Sequence, residues 1–281
     1  MIDLQQGDCL ELMKKLPDKS VDAIVTDPPY EYLNHKLDRR FNEEAVFEQW
    51  NRVVKDDGMI LFFGRGESFY RWNYLLNQIG WHFKEEIIWN KRRVSAPMLP
   101  IGRVHETVSI LSKSGKVNRV KVPYVQKNKY DVKKIIGDIS RIANILNNPK
   151  ELDMVKKYLE TGKQDYYSTG VAGLTFTGAK TNNKAVDAMK GIIIGRNEQD
   201  IIEQTAVHSR KKQFHPTQKP TPLMERLINL VSDEGDIILD PFMGSGSTGV
   251  SAASLDRSFI GYEIDDEYFN IAEQRINEVI K

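Results

Sequence analysis

Residues 239–250 read LDPFMGSGSTGV, and the reading of this stretch decides the fold. Ile237, Ile238 and Leu239 are a short apolar run of the kind buried on both faces of a parallel sheet. The run ends on Asp240, and after Phe242 the chain enters a glycine-rich turn, Gly244-Ser245-Gly246-Ser247-Thr248-Gly249, that opens a helix. Glycine lets backbone approach a ligand closely, and a helix N-terminus offers unpaired N–H groups to an anion. The next apolar run, residues 258–263, ends on Glu263, an acid placed to accept hydrogen bonds from ribose hydroxyls. Strand, glycine turn, helix, strand and acid together describe a nucleoside-binding unit of an α/β protein. The plainer reading of the same residues is a glycine turn used only for close packing.

A second acidic turn lies far upstream. Residues 21–30 read VDAIVTDPPY: a buried strand that runs into two prolines. Proline lacks a backbone N–H and fixes φ near −65°, so Pro28 and Pro29 stop the sheet ladder and hold an extended, rigid turn. A carboxylate, Asp27, and an aromatic ring, Tyr30, are thereby displayed at the carboxyl end of a strand, the edge where open α/β sheets bind ligands. Taken alone, Asp-Pro-Pro is good turn chemistry and nothing more.

Between and around these turns, apolar periodicity alternates. Residues 43–55 place Val46, Phe47, Trp50, Val53 and Val54 on one helical face, Asp57-Gly58 turns the chain, and 59–63 is a strand. A helix over 67–79 leads to a strand over 83–89, with which 107–111 pairs as a hairpin. After the second half resumes, 222–231 and 267–280 are helices around the strands 236–240 and 258–263. The expected architecture is α/β: a mostly parallel sheet flanked by helices, with one hairpin strand. Residues 114–205 break the pattern. Here 131–148 and 149–159 are amphipathic helices separated from the rest by polar stretches, so the chain divides into 1–113, an insertion at 114–205, and 206–281.

The composition narrows the classes of function. The 281 residues contain one cysteine, Cys9, which excludes an intramolecular disulfide and a multi-cysteine zinc site and fits a reducing cytoplasm. Charged residues make up 28% and mean hydropathy is −0.47. No apolar run approaches bilayer length, and the acidic N-terminal stretch lacks the pattern of an export signal; a soluble cytoplasmic protein with no membrane partner is expected. Net charge is only +1, yet residues 113–163 hold 13 Lys and Arg against 5 Asp and Glu, a local balance of +8. That segment is either a phosphate-binding surface or a solvated lysine-rich helix face.

A glycine loop of this kind also suits an NAD-dependent oxidoreductase, but such an enzyme leaves Asp-Pro-Pro-Tyr unexplained and usually places its nucleotide half first. The pairing of TDPPY (26–30) with DPFMGSGSTG (240–249), in that order, resembles the amino-group DNA methyltransferases in which the catalytic motif precedes the cofactor loop. Gly7-Asp8-Cys9-Leu10, Trp89-Asn90-Lys91, Arg103-Val104-His105-Glu106 and His215-Pro216-Thr217-Gln218-Lys219-Pro220 join the match, which covers roughly 4–113 and 206–281. The resemblance implies a Rossmann-like methyltransferase fold whose insertion is the target-recognition region. It also implies S-adenosyl-L-methionine as cofactor and methyl transfer to an exocyclic amine of double-stranded DNA, with no metal.

By that resemblance Asp27 and the Pro28 carbonyl accept the amino protons, Pro29 stiffens the turn, and Tyr30 stacks on a base extruded from the duplex. Asp240, Phe242, Gly244, Ser245, Gly246 and Glu263 form the cofactor loop. Asp8 lies near the adenine or amino group of the cofactor, and Thr217 and Lys219 approach its methionine end, where the ammonium attracts a carboxylate. Asp8 as a helix cap and Lys219 as a solvated surface charge are the simpler alternatives. Asp at the head of the turn points to adenine N6; cytosine N4 methylation and a non-catalytic DNA-binding protein on the same scaffold are the competing readings. A restriction endonuclease and a second copy of the chain are the protein partners that the family suggests.

Overall fold

The computed structural model of the chain describes residues 1–30, 39–94, 100–122, 195–207 and 218–280. It divides into two compact units, Met1–Asn118 with Gln199–Lys281, and Arg119–Glu198. In chain order the strands are β1 (Ile2–Gln6), β2 (Val21–Thr26), β3 (Val54–Gly64), β4 (His82–Asn90), β5 (His105–Ser112), β6 (Lys121–Val122), β7 (Arg196–Asn197), β8 (Ile201–Glu203), β9 (Ile237–Asp240) and β10 (Ser258–Glu263). The described helices are α1 (Cys9–Met13), α2 (Glu43–Val53), α3 (Gly66–Gln78), α4 (Thr221–Val231), α5 (Ser247–Ser254) and α6 (Asp266–Ile280).

In the larger unit eight strands form one sheet in the order β1-β10-β9-β2-β3-β5-β4-β8. Only β5 runs against its neighbours; every other pairing is parallel. The expected hairpin of β4 and β5 is present, with Trp89 opposite Glu106 and Asn90 opposite His105. The two halves of the chain meet where β2 pairs with β9, Ala23 opposite Ile238 and Ile24 opposite Leu239. A Rossmann-like α/β sheet carrying the expected hairpin is the result, although β8, and not the hairpin, forms the edge.

Alternation along each strand sorts the side chains to two faces. Ile60 and Phe62 join Trp50 of α2 and Trp72 of α3 in one buried cluster, while the intervening Leu61 and Phe63 are equally buried and turned to the other face. α4 packs against β3 and α5, and α5 against α6. Trp72 is 1% exposed, donates from Nε1 to Glu43 Oε1 at 2.6 Å, and lies with its ring centroid 6.0 Å from that of Tyr30. The helix core therefore supports the proline turn directly.

Three details depart from the sequence patterns. The expected turn at Asp57-Gly58 falls inside β3, but the register jumps there: Val54 faces Val21 and the next partner pair is Met59 with Ala23, so the residues between bulge out. β1 is an added edge strand, its first four residues alternating apolar and polar. β8 extends the main sheet beside β4, anchored by Ile88 N to Asp200 O at 2.6 Å and Gln204 N to Asn90 O at 3.0 Å; the main unit thus resumes at Gln199, ahead of residue 206. In the smaller unit, β6 and β7 pair antiparallel with Val122 opposite Arg196. The helices expected at 131–148 and 149–159 lie outside the described residues.

Asp240 ends β9, 2% exposed, and its Oδ1 accepts hydrogen bonds from Thr26 Oγ1 at 2.7 Å and Phe242 N at 3.1 Å. Burial pushes its carboxyl up to about 6, against the hydrogen bonds from Thr248 and Thr26 that favour the ionised form. A raised folded value means that the contribution to stability is fully present below the unfolded value near 3.8 and is lost as pH rises through about 6. Asp240→Asn should therefore gain on wild type by roughly 3 kcal/mol between pH 4 and pH 8 in urea unfolding; a constant difference between the two proteins would refute the buried, uptitrated carboxyl. Trp72→Ala should cost about 3–5 kcal/mol in the same assay, whereas Tyr74→Ala, at an exposed position, should stay within about 0.5 kcal/mol.

Candidate active site

β2 delivers its last residues to the carboxyl edge of the sheet, and the two prolines end the strand there. Thr26 is fully buried, Pro28 is buried, and Asp27, Pro29 and Tyr30 are half-buried. The Tyr30 hydroxyl donates to Asp27 Oδ1, while its ring rests near Trp72. Asp27 and Tyr30 are thus brought together, as the sequence suggests, with a bond between them that spacing alone does not reveal.

The other Asp27 oxygen, Oδ2, is held by the Lys219 ammonium. Lys219 is 6% exposed, so it is no solvated surface charge. Its Nζ lies 4.6 Å from the Phe63 ring centroid and 3.4 Å from Glu106 Oε2. Glu106 Oε1 in turn receives Lys91 Nζ at 2.5 Å. Burial opposes the charge on Lys219, but the Asp27 and Glu106 carboxylates outweigh it and hold the ammonium above its ordinary pKa. Burial also pushes the Asp27 carboxyl up, against the pull of Lys219, whereas Glu106, flanked by two lysines, is drawn below the usual range in spite of its burial. The family resemblance implies Lys219 at the methionine end of the cofactor; in the structure its charge is engaged by Asp27 and Glu106. Lys91 and Glu106 stand in motifs that the sequence comparison names without assigning them a task.

The glycine turn lies beside this cluster in the sheet order. Gly244 has φ +54 and nothing within 4 Å of where a Cβ would stand, so only its backbone conformation demands glycine and the space before it is open. Gly246, at φ +78, would bring a Cβ to 2.9 Å from Ala272 Cβ: this glycine serves the packing of α5 on α6. Ser245 is buried and receives Arg275 through its carbonyl and, at 3.2 Å, its hydroxyl. The Phe242 ring lies 5.0 Å from that of Phe41, tilted by 54°. Among the described residues the buried Ser247 hydroxyl, in the first turn of α5, has no hydrogen-bond partner, a polar group that the sequence reading passed over.

Glu263, 8% exposed, accepts from Gly244 N at 2.8 Å, Ile264 N at 3.0 Å and Asp265 N at 2.9 Å. Burial raises its pKa against these three donors. Gly7 N donates to the Glu263 carbonyl at 2.9 Å, which sets Asp8 at the same edge. Asp8 caps α1, its carboxylate accepting from Leu10 N at 2.8 Å, a role that leaves it lone pairs for a further contact. Thr217 lies outside the described residues. Cys9 is buried and its thiol is pushed up to about 12, chiefly by burial and then by Asp8, which removes it as a nucleophile.

On the other side of Tyr30 opens a cleft of about 570 Å³ whose walls include Arg65, Tyr70, Arg103, His105 and Glu106. The site therefore has a glycine-turn side, open in front of Gly244, and a cleft side, with the Asp27 carboxylate and Tyr30 between them in the strand order. A carboxylate held by one cation and one hydroxyl can accept further hydrogen bonds, since each oxygen carries two lone pairs.

A family model described as DNA methylase matches residues 21–274, which includes both turns. The Type II methyltransferase M.HinfI of Haemophilus influenzae is 26% identical over 302 aligned residues, covering 98% of this chain and 68% of that protein. The Type II methyltransferase M.BglII of Bacillus subtilis is 28% identical over 282, covering 96% and 68%. Among solved structures, the M1.HpyAVI-SAM complex has a TM-score of 0.57 at 22% identity, covering 98% of this chain and all of that one. PvuII DNA methyltransferase (cytosine-N4-specific) has a TM-score of 0.58 at 16% identity, covering 99% and 91%; at such identities the likeness is one of fold. With the family match running from the strand before Asp27 through the glycine turn and into α6, the chain belongs to the DNA methylase family of N6-adenine and N4-cytosine methyltransferases.

Proposed function

We propose that the protein is a site-specific DNA adenine N6-methyltransferase that uses S-adenosyl-L-methionine. The observation that carries this reading is the Asp27 carboxylate, held by Tyr30 and Lys219 at the sheet edge that also carries the glycine turn. The residues suit the cofactor: open space before Gly244, an unpartnered buried hydroxyl at Ser247 and the Glu263 carboxylate one strand away are groups that would hold a nucleoside, together with Asp8, Phe242 and Ser245. When bound, S-adenosylmethionine supplies a methyl group on a sulfonium sulfur, which keeps the S–C electron pair as the N–C bond forms.

An adenine amino group is a poor nucleophile because its lone pair is delocalised into the ring. Asp27 and the Pro28 carbonyl accept hydrogen bonds from it, favour rehybridisation, and stabilise the positive charge that builds on nitrogen; the alkylated nitrogen then loses one proton to water. The rigid prolines fix those acceptors in advance. Tyr30 offers its ring to a base turned out of the duplex, since the target atom is unreachable while stacked. The cytosine-N4-specific fold neighbour keeps N4 of cytosine as the second reading, because the same acceptors serve either amine.

The basic segment 113–163 and the surrounding insertion supply the DNA-contacting, target-reading surface, phosphate contacts giving affinity and a few base contacts giving selectivity. Its relatives among the Type II methyltransferases suggest that the enzyme protects host DNA beside a restriction endonuclease.

Transfer of labelled methyl to genomic DNA free of N6-methyladenine, followed by nucleoside analysis, should yield labelled N6-methyladenine; label on cytosine N4 would move the assignment to the second reading, and no label on any nucleic acid would overturn it. Asp27→Ala should reduce transfer by about 1,000-fold or more while cofactor affinity changes little; near-normal turnover would remove Asp27 from the chemistry. Replacing Lys127, Lys129, Lys133 and Lys134 with Gln should weaken DNA binding and reduce the slope of log K against log salt by up to about 3.6. An unchanged slope would exclude this segment from the interface.

A further inference from the structure

The mechanism above uses Asp27 and leaves three buried charges unexplained. Lys91 follows β4, Glu106 lies in β5, Lys219 precedes α4, and all three converge with Asp27, which follows β2. Their side chains are only 6–23% exposed. Along the row the signs alternate, Asp27, Lys219, Glu106, Lys91, and the sum is zero. Burying ions is costly unless each is paired: without Lys219 the Asp27 carboxylate loses its cation, and without Glu106 the Lys91 ammonium loses its anion. Sheet packing alone does not require them: an apolar set of similar volume would fill the space at no electrostatic cost.

Resting on the methyltransferase reading, we propose that Lys219 and Glu106 are positioning residues that act through Asp27: Lys219 fixes one carboxylate oxygen, and Glu106, anchored by Lys91, sets how strongly that ammonium pulls. The two contacts on Asp27 are unequal. Lys219 binds Oδ2 as a charged donor and Tyr30 binds Oδ1 as a neutral one, and a neutral donor is the weaker. An incoming amino group therefore enters at Oδ1, taking the place of the Tyr30 hydroxyl, while Oδ2 stays on Lys219. Exchange of one neutral donor for another leaves the carboxylate ionised and aimed. The tyrosine keeps its ring against the base.

The groups facing Asp27 are Lys219 and Glu106, with Tyr30 on its own turn and the Asp240 carboxyl at the end of β9. Lys219 favours the ionised form of Asp27 and Glu106 disfavours it. Because Asp27 must be ionised to accept amino protons, activity falls as pH drops through its pKa. Removing Lys219 raises that pKa and removing the Glu106 charge lowers it, so the two variants must move the acid limb of the rate profile in opposite directions. A purely structural pair would not do so.

The test is single-turnover methyl transfer against pH at saturating S-adenosylmethionine, with cofactor affinity measured by calorimetry. Lys219→Met should slow transfer at pH 7 by about 100-fold or more and move the acid limb up by about 1–3 units, with the cofactor dissociation constant changed less than threefold. Glu106→Gln should move the limb down, and Lys219→Arg should recover most of the lost rate. If Lys219→Met fails to fold, Glu106→Gln keeps the row's size and carries the test through the downward sign of its shift, with Lys219→Arg, which keeps the charge, expected to leave the limb in place. A tenfold or greater loss of cofactor affinity with an unshifted limb would return Lys219 to the cofactor and overturn the inference, as would limbs that stay in place in every variant. An inactive wild type would sink the methyltransferase reading itself, whereas an active wild type with unshifted variants would sink only the positioning role.

Discussion

The structure depends on the narrow seam between β2 and β9. Two register pairs, Ala23 with Ile238 and Ile24 with Leu239, and two side-chain bonds, Thr26 to Asp240 at 2.7 Å and Ile237 N to Asp22 at 3.0 Å, join segments that are more than two hundred residues apart in the chain. The proline turn leaves one side of this seam and the glycine turn leaves the other. Any slip of the register would separate the carboxylate from the loop beside it and turn buried side chains to the opposite face. A bond from a buried threonine to a buried acid is directional in a way that apolar packing is not, so it defines the register where the ladder is shortest.

Around that seam the molecule concentrates ionisable groups that a folded core ordinarily avoids. Four charges of alternating sign and the Asp240 carboxyl sit together beneath a half-exposed edge. Each lone ion would cost several kcal/mol to bury; alternation lowers the cost because every charge finds its opposite within a few ångström. Burial nonetheless prevails at Asp240, where the partners are neutral donors, and loses at Glu106, where the partners are two cations. Aromatic side chains complete the setting: Phe63 lies under the Lys219 ammonium and Trp72 behind Tyr30, so the polar cluster is walled by rings that exclude water without competing for hydrogen bonds.

Much of this was legible in the sequence. The buried strands β2, β3, β9 and β10 are continuous apolar runs, and α2, α3, α4 and α6 show helical periodicity, because burial on a sheet or against it leaves those imprints. β1 and β8 leave almost none: Ile2 and Leu4 alternate with Asp3 and Gln5 at a sheet edge, and β8 is three residues long. In the site, Asp27, Tyr30 and the acid at Glu263 were found through their positions at strand ends. The partner of Lys219 was not. Charge tells that a lysine needs an anion but not which one, and Asp27 and Glu106 are supplied by elements far from it in the chain. Gly246 illustrates the converse, a motif glycine whose demand for space comes from Ala272 on a neighbouring helix.

The reversed direction of β5 gives the hairpin an unusual freedom. A strand that runs backward presents its first residues at the edge where its neighbours present their last, so Lys91, just after β4, and Glu106, near the start of β5, arrive together. Their register is set by the ladder itself, Trp89 with Glu106 and Lys91 N to Val104 O at 2.8 Å. The connection from Arg92 to Arg103 leaves from that lock and returns to it. Its length and composition can drift in evolution, or be rewritten by graft, without disturbing the ions at its base, since loop closure costs grow only slowly with length. One hairpin thereby separates what must stay constant from what can diversify.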